Sequence, residues 1–192
     1  QNILAQMKSG EADILVGTQT VTKGLDLPKV TLAAVLVADI GMSLPHFRAG
    51  ERTFQLLMQL TGRSGRHAPG EVIIQTFRPD SLEVQAAATH DAQKYLENEL
   101  RLRTAMNYPP QIPMARLIVR GERTNERALT LKANLVKAAE LIDPEAAVSA
   151  GPTFFSGGKE WHILIRSHSL RALLQAINLA EAFVDIDPLE TL

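Results

Sequence analysis

Gln59-Leu60-Thr61-Gly62-Arg63-Ser64-Gly65-Arg66 is the stretch on which the reading of the chain turns. It has the form Q-x-x-G-R-x-G-R, with two arginines three residues apart, each preceded by glycine. An apolar helical run, Phe54 to Leu60, leads into it. Glycine lets the backbone come close to a ligand or a neighbouring lobe. Arginine offers a planar, permanently charged fork that matches phosphate oxygens. The pattern fits a pair of arginines held toward a nucleotide polyphosphate, as arginine fingers are in phosphoryl transfer. The plain alternative is a solvated Gly/Arg-rich loop after a helix. Short motifs recur by chance, so the flanking residues must decide.

Upstream, Ile3, Leu4 and Met7 stand at helical spacing before Gly10. Asp13-Ile14-Leu15-Val16-Gly17 predicts a short buried parallel strand. Thr18 to Asp26 is then a polar, glycine-containing loop at that strand's carboxyl end, the edge where open α/β sheets bind ligands. Pro28 prevents a long helix there. Thr31 to Ala38 predicts a second buried strand with Asp39 just past it, and Ile40 to Pro45 a loop. A helix from Phe47 to about Leu60 would turn Phe54, Leu57, Met58 and Leu60 inward, and Glu71 to Thr76 predicts a third strand. This alternation argues for a parallel α/β sheet with both polar segments at one edge. Three strands are few for such a domain, and Gln1 reads as mid-helix, so the sheet is expected to be completed by residues before it.

Composition narrows the classes. The 192 residues suffice for one large or two small domains. There is no cysteine, which excludes disulfides, thiolate metal sites and cysteine catalysis within these residues. Net charge is −1, with neither half basic, so nucleic-acid contact would have to come from a local patch. No apolar run is long enough to span a bilayer. A cytoplasmic protein without membrane contact is the expectation.

The order G-T-Q-x-x-x-K-G-x-D, a buried strand ending in Asp, P-x-F-R-A-x-E-R, then Q-x-x-G-R-x-G-R resembles the second RecA-like lobe of superfamily 2 helicases. Gly17–Asp26 would be motif V and Gln59–Arg66 motif VI. Pro45 to Leu57 and Met106-Asn107-Tyr108-Pro109-Pro110 more closely resemble the primosomal replication-restart helicases, the primosomal protein N′ (PriA) type. The resemblance implies roles for particular residues. Arg63 and Arg66 would contact the γ-phosphate of ATP, and Gln59 would position that contact or the attacking water. Gly24 and Asp26 would line the nucleotide side of the interlobe cleft, and Thr18, Gln19 and Lys23 would couple it to the DNA strand. Taken singly, Lys23 reads as a surface lysine, Asp26 as a turn cap, Asp39 as a strand terminator and Glu51–Arg52 as an exposed pair.

Ser81 is a candidate N-cap for a helix with Val84, Ala87 and Ala88 inward. Asp91 would start another, with Tyr95, Leu96, Leu100 and Leu102 inward and Glu97, Glu99, Arg101 and Arg103 on a solvated face. Tyr108-Pro109-Pro110 breaks that helix, which sets expected domains of 1–107 and 108–192. Beyond it, Ile112–Gly121 alternates as a strand, with Ala115, Leu117 and Val119 on one side. A helix capped by Thr124 or Asn125 would run to Ile142 with Leu129, Leu135, Val136 and Ala139 inward. Strands are expected at Ala147–Ala150, Lys159–Ser167 and Val184–Asp187, with a helix from Ser169 to Phe183. The order β-α-β-β-α-β predicts a ferredoxin-like or ribosomal-S10-like sandwich, as the resembled family has at its C-terminus.

In that family this domain contacts branched DNA and helps dock the single-stranded DNA-binding protein. Candidate contacts are Arg116, Arg120, Arg123, Arg166 and Arg171, with Trp161 and Phe154–Phe155 as stacking surfaces. Each has a plain reading too, as a surface arginine or a core aromatic, and His162 reads as an ordinary strand residue. The family's arginine-rich middle link is replaced by Thr153–Glu160, which carries one lysine.

The expected whole is the C-terminal part of an ATP-dependent 3′-to-5′ DNA helicase of replication restart. It would use ATP and Mg2+, with branched or single-stranded DNA, the single-stranded DNA-binding protein and other primosome proteins as partners. The chain holds no G-x-x-x-x-G-K-[ST] and no D-E-x-H segment, so alone it is expected to be inactive, and zinc is expected only upstream. The alternatives are another superfamily 2 DNA helicase, or a non-catalytic DNA- or protein-binding scaffold retaining a relic motor lobe.

Overall fold

The computed structural model describes residues 3–18, 30–62, 70–153, 157 and 159–189. The chain divides into two compact units, residues 1–44 with 48–98, and 45–47 with 99–192.

The first unit opens with α1 (Ile3–Ser9), which Gly10 ends at φ +85°, a conformation that costs glycine little. The expected strand at 13–17 is not formed. Ile14 and Val16 are 82% and 79% exposed, and no strand pairs with this run among the described residues. An apolar run becomes a strand only where a neighbour satisfies its backbone. The expected strand 31–38 is β1 (Leu32–Val35), and β2 is Glu71–Ile74; they pair in parallel with Leu32 opposite Glu71. Where a loop was expected, α2 (Asp39–Met42) forms. It packs beside α3 (Ala49–Thr61), where Gly41 admits the Thr53 hydroxyl to within 2.5 Å of where a Cβ would sit.

The inner face of α3 is Ala49, Thr53, Phe54 and Leu57, with the expected Met58 partly buried against the same core. Phe54 stacks on Tyr95, ring centroids 4.0 Å apart. Tyr95 lies on α5 (Ala92–Ala105), and α4 (Leu82–Ala88) adds Val84, Ala86 and Ala87 to the same core. Ala86, not Ala88, is the third inward residue of α4. Ser81 precedes α4 but makes no capping bond. Asp91 does cap α5, its carboxylate accepting from the Lys94 N–H at 2.9 Å. Leu96, Leu100 and Leu102 are exposed, contrary to expectation.

In the second unit, Glu99 and Arg103 do not lie on a solvated face. They are paired at 2.8 Å with both side chains largely covered, and Arg103 also lies over the Phe47 ring. Phe47 stacks on Tyr108, and Arg166 covers the other ring at 4.4 Å. Then follow β3 (Met114–Arg120), α6 (Thr124–Ile142), β4 (Ala147–Pro152), β5 (Glu160–Arg166), α7 (Leu170–Gln175) and β6 (Ala182–Ile186). The expected β-α-β-β-α-β order is present. The strands form one antiparallel sheet in the order β4-β5-β3-β6.

Period-two alternation on β3 sends Ala115, Leu117 and Val119 into the helix-covered core with Ile163, Ile165 and Leu173. From α6 the inward residues are Ala128, Leu131, Leu135 and Ala139; Leu129 and Val136 are exposed. The helix is rotated from the expected face so that Ala128 and Leu131 join the core, and at its start the Thr124 hydroxyl donates to the Gly121 carbonyl. The last helix ends at Gln175, well short of Phe183, and Leu179, Ala182 and Val184 reach the core from the segment beyond it.

A buried polar knot joins α6 to the end of β5. The Asp143 carboxylate accepts from the Ser167 hydroxyl at 2.5 Å and from the Ser169 N–H at 3.3 Å. The Ser167 hydroxyl, aided by backbone N–H groups and opposed by burial, holds this carboxyl below the usual carboxylate range.

Two outcomes are expected. Leu135→Ala should cost about 2–5 kcal/mol in urea denaturation, whereas Leu129→Ala should stay within about 0.5 kcal/mol. Ser167→Ala should cost about 1–3 kcal/mol at neutral pH. Because Asp143 is depressed in the folded state, its contribution is present above the usual carboxylate range and fades as pH falls through its folded value. The gap between parent and Ser167→Ala should therefore narrow in acid when denaturation is followed as a function of pH.

Candidate active site

Helix α3 carries the described half of the Gly/Arg motif. Glu51 in its first turn suits the positive end of the helix dipole and pairs with Arg48 at 2.8 Å. Gln55 donates to the same carboxylate at 3.1 Å. The Glu51 bond raises the Arg48 guanidinium above its ordinary value, so it stays cationic. With the inner face buried, Gln59 is left exposed on the opposite side. At the end of the helix the Thr61 hydroxyl and the Gly62 N–H both donate to the Met58 carbonyl, at 3.1 and 3.0 Å. A Cβ on Gly62 would sit 3.3 Å from that oxygen, a close contact at the end of the helix.

Arg63 and Arg66 lie outside the described residues, as do Gln19, Lys23, Gly24 and Asp26. Thr18 is described and exposed. The described ends of the two segments are informative. The stretch after Gly62 re-enters at Gly70 and leads into β2 at Glu71, while the stretch after Thr18 re-enters at Val30 and leads into β1. The Glu71 N–H donates to the Thr31 carbonyl at 2.8 Å. The two motif-bearing segments thus run into hydrogen-bonded neighbours at one edge of the parallel pair. Among the described residues, Thr31 and Glu71 thus meet at the amino end of β1 and β2. A βαβ crossover returns the chain to the start of the next parallel strand.

The carboxyl end of the pair is held by Asp39. Its carboxylate accepts from the Thr76 hydroxyl and the Phe77 N–H, both at 3.1 Å, clamping the exit of β1 to the exit of β2. Sequence reasoning took Asp39 for a strand terminator; the pairing spans 37 residues and leaves no local signal.

The candidate DNA-contacting arginines of the second unit are mostly engaged within it. Arg116 pairs with Asp185 at 2.7 Å. Arg120 pairs with Glu160, which also holds the buried His162 at 3.0 Å and is kept below the usual carboxylate range, chiefly by Arg120. Arg123 bonds Glu126, and Arg166 donates to the carbonyls of Met106 and Asn107. Arg171 is exposed. Trp161 packs against the core, and Phe154 and Phe155 lie outside the described residues. Arg127, unremarked in the sequence, bridges Glu181 and the Arg120 carbonyl. Among the described residues no cluster of three or more His, Cys, Asp or Glu could hold a metal ion, and no helix is long and apolar enough to cross a membrane.

Residues 1–68 match the family model described as the helicase conserved C-terminal domain. The chain is 41% identical over 155 residues to the replication restart protein PriA of Bacillus subtilis, covering 77% of this chain and 19% of that protein. It is 38% identical over 204 aligned positions to PriA of Chlamydia trachomatis, covering 98% of this chain and 27% of that protein. With PriA of Synechocystis the identity is 36%, over 97% of this chain and 24% of the relative. The chain thus spans between 19% and 27% of the length of these relatives.

Asp39→Ala should loosen the carboxyl end of the parallel pair and cost about 1–2 kcal/mol. Asp39→Asn, which keeps one acceptor oxygen, should cost less. Urea denaturation of both variants checks the order.

Proposed function

We propose that this chain, a C-terminal part of a PriA-family replication restart protein, supplies the nucleotide-sensing half of an ATP-dependent DNA helicase motor. The observation that carries this reading is the match of residues 1–68 to the helicase conserved C-terminal domain, a span that contains both Thr18–Asp26 and Gln59–Arg66. Arg63 and Arg66 would act as fingers on the γ-phosphate, with Gln59 aligning them or the attacking water. Gly24 and Asp26 would complete the nucleotide side, and Thr18, Gln19 and Lys23 would relay it to DNA.

Preplaced cations stabilise charge that develops on the transferred phosphoryl group. The exposed end of α3 suits such a task, since Gln59 stands opposite a buried helix face. ATP and its Mg2+ would be held mainly by residues this chain does not contain, because no phosphate-cradling G-x-x-x-x-G-K-[ST] segment occurs in it. The chain alone would then be inactive. The intact protein would unwind forks 3′ to 5′ in the cytoplasm, a direction taken from the family resemblance. It would act on branched or single-stranded DNA together with the single-stranded DNA-binding protein and other primosome proteins. Residues 1–107 would belong to the motor and 108–192 to a DNA- and partner-binding domain.

Arg66→Ala in the intact protein tests the reading. DNA-stimulated ATP hydrolysis should fall by about a thousandfold or more while DNA binding survives. Turnover at the parental rate would remove the finger assignment and favour a scaffold.

A further inference from the structure

The sheet of the second unit ends on β4, and among the described residues no strand pairs with its outer edge. The Thr153 N–H donates to the Glu160 carbonyl at 3.0 Å. Paired residues alternate along an antiparallel ladder. Ser149 and Gly151 therefore turn their backbone groups to β5, and Val148 and Ala150 turn theirs outward. Natural edges are ordinarily blunted by charges, prolines or bulges. This one reads Ala-Val-Ser-Ala-Gly-Pro, with no charge and its proline only at the last residue. Alongside it runs an open groove of about 340 Å³, lined by Val136, Ala139 and Glu140 of α6 and by Pro144, Ala146 and Val148. Val136 is 38% exposed at its rim.

Lys132, Val136 and Glu140 follow one another at four-residue steps, so they share one face of α6. They span about 12 Å of helix, a length that about four residues of extended chain cover. Side chains two apart on an added strand face the same way. We propose that the outer edge of β4 docks an extended segment of another protein with the pattern acid-x-apolar-x-base. Its backbone would pair with Val148 and Ala150, its apolar residue would cover Val136, and its acid and base would meet Lys132 and Glu140. This is strand addition, in which main-chain bonds give affinity and alternate side chains give specificity. It stands independently of the nucleotide-site reading.

The probe is a fluorescent heptapeptide, Thr-Glu-Thr-Val-Thr-Lys-Thr, titrated by anisotropy against the intact protein. Saturable binding at or below about 1 mM is expected. Methylating the peptide's valine nitrogen removes a ladder donor, and Glu140→Lys reverses a charge; each should weaken binding about tenfold. Val136→Asp should weaken it at least as much, with the unfolding transition of both variants unchanged. Absence of saturable binding to the parent overturns the proposal, as does equal binding of the methylated peptide. So does a parental dimer, seen by sedimentation, that Val136→Asp disperses, since the edge would then belong to a second copy.

Discussion

One backbone hydrogen bond sets the register of the first unit's parallel pair: Glu71 N–H to Thr31 C=O, at its start. It fixes the register Leu32 opposite Glu71, and with it the meeting of two segments that local sequence keeps about forty residues apart. Parallel strands cannot be joined by a tight turn. The chain must leave at the far end, cross through α2 and α3, and come back, and the return leg is where the Gly/Arg motif falls. At the far end Asp39 performs the matching task, with one carboxylate receiving donors from the segment that follows β2. The pair is thus pinned at both ends by bonds that lie outside the strands.

A precise start for the motif also needs a helix that does not roll. Phe54 on Tyr95, with Leu57 beneath, immobilises one face of α3. Gly50 lets this packing close, since a Cβ there would lie 2.5 Å from the Glu83 carboxylate and 3.4 Å from the Tyr95 hydroxyl. The opposite face is then solvent-facing by necessity, and Gln59 is on it. Rigidity on one side and exposure at the end are the same fact seen twice: burial selects the helix rotation, and the rotation selects which polar residue is presented.

Much of this was legible in the sequence, and the parts that were not share a cause. The β-α-β-β-α-β order, the Asp91 cap and the inward side of β3 follow from local periodicity and capping chemistry, and they stand. The strand at 13–17 was misread because apolarity is necessary for a buried strand and not sufficient; a partner is required, and no local signal reports one. Leu129 and Val136 were placed inward, and Ala128 and Leu131 missed, because Leu, Val and Ala populate both flanks of the stripe. The rotation is settled by packing against the sheet, which is non-local, as is the bond of the Thr124 hydroxyl to the Lys159 carbonyl. Leu96, Leu100 and Leu102 failed likewise, since α5 turns Tyr95 inward and its later covered positions are the charged Glu99 and Arg103. Of the candidate site, the described part is Gln59 at the exposed end of α3, and its exposure follows from the helix rotation that packing of the other face selects.

The arginines of the second unit show why residue type is a weak guide to nucleic-acid contact. Arg116, Arg120, Arg123 and Arg166 each hold a carboxylate or backbone carbonyls. To meet a phosphate, such a side chain must exchange an existing partner for a new one, and the gain is only the difference between two charge-assisted bonds. For Arg116 the exchange would also strand Asp185, part-covered on the neighbouring strand, which is the costly half of breaking an ion pair. The exposed pair Arg123–Glu126 pays far less, because water already screens it. The cost of recruiting each arginine therefore rises with how well its present partner is covered. That ordering places Arg123 and the exposed Arg171 ahead of Arg116 as sites where this unit could take up an anionic backbone, and it assigns Arg116 and Arg120 chiefly to the sheet they cross-link.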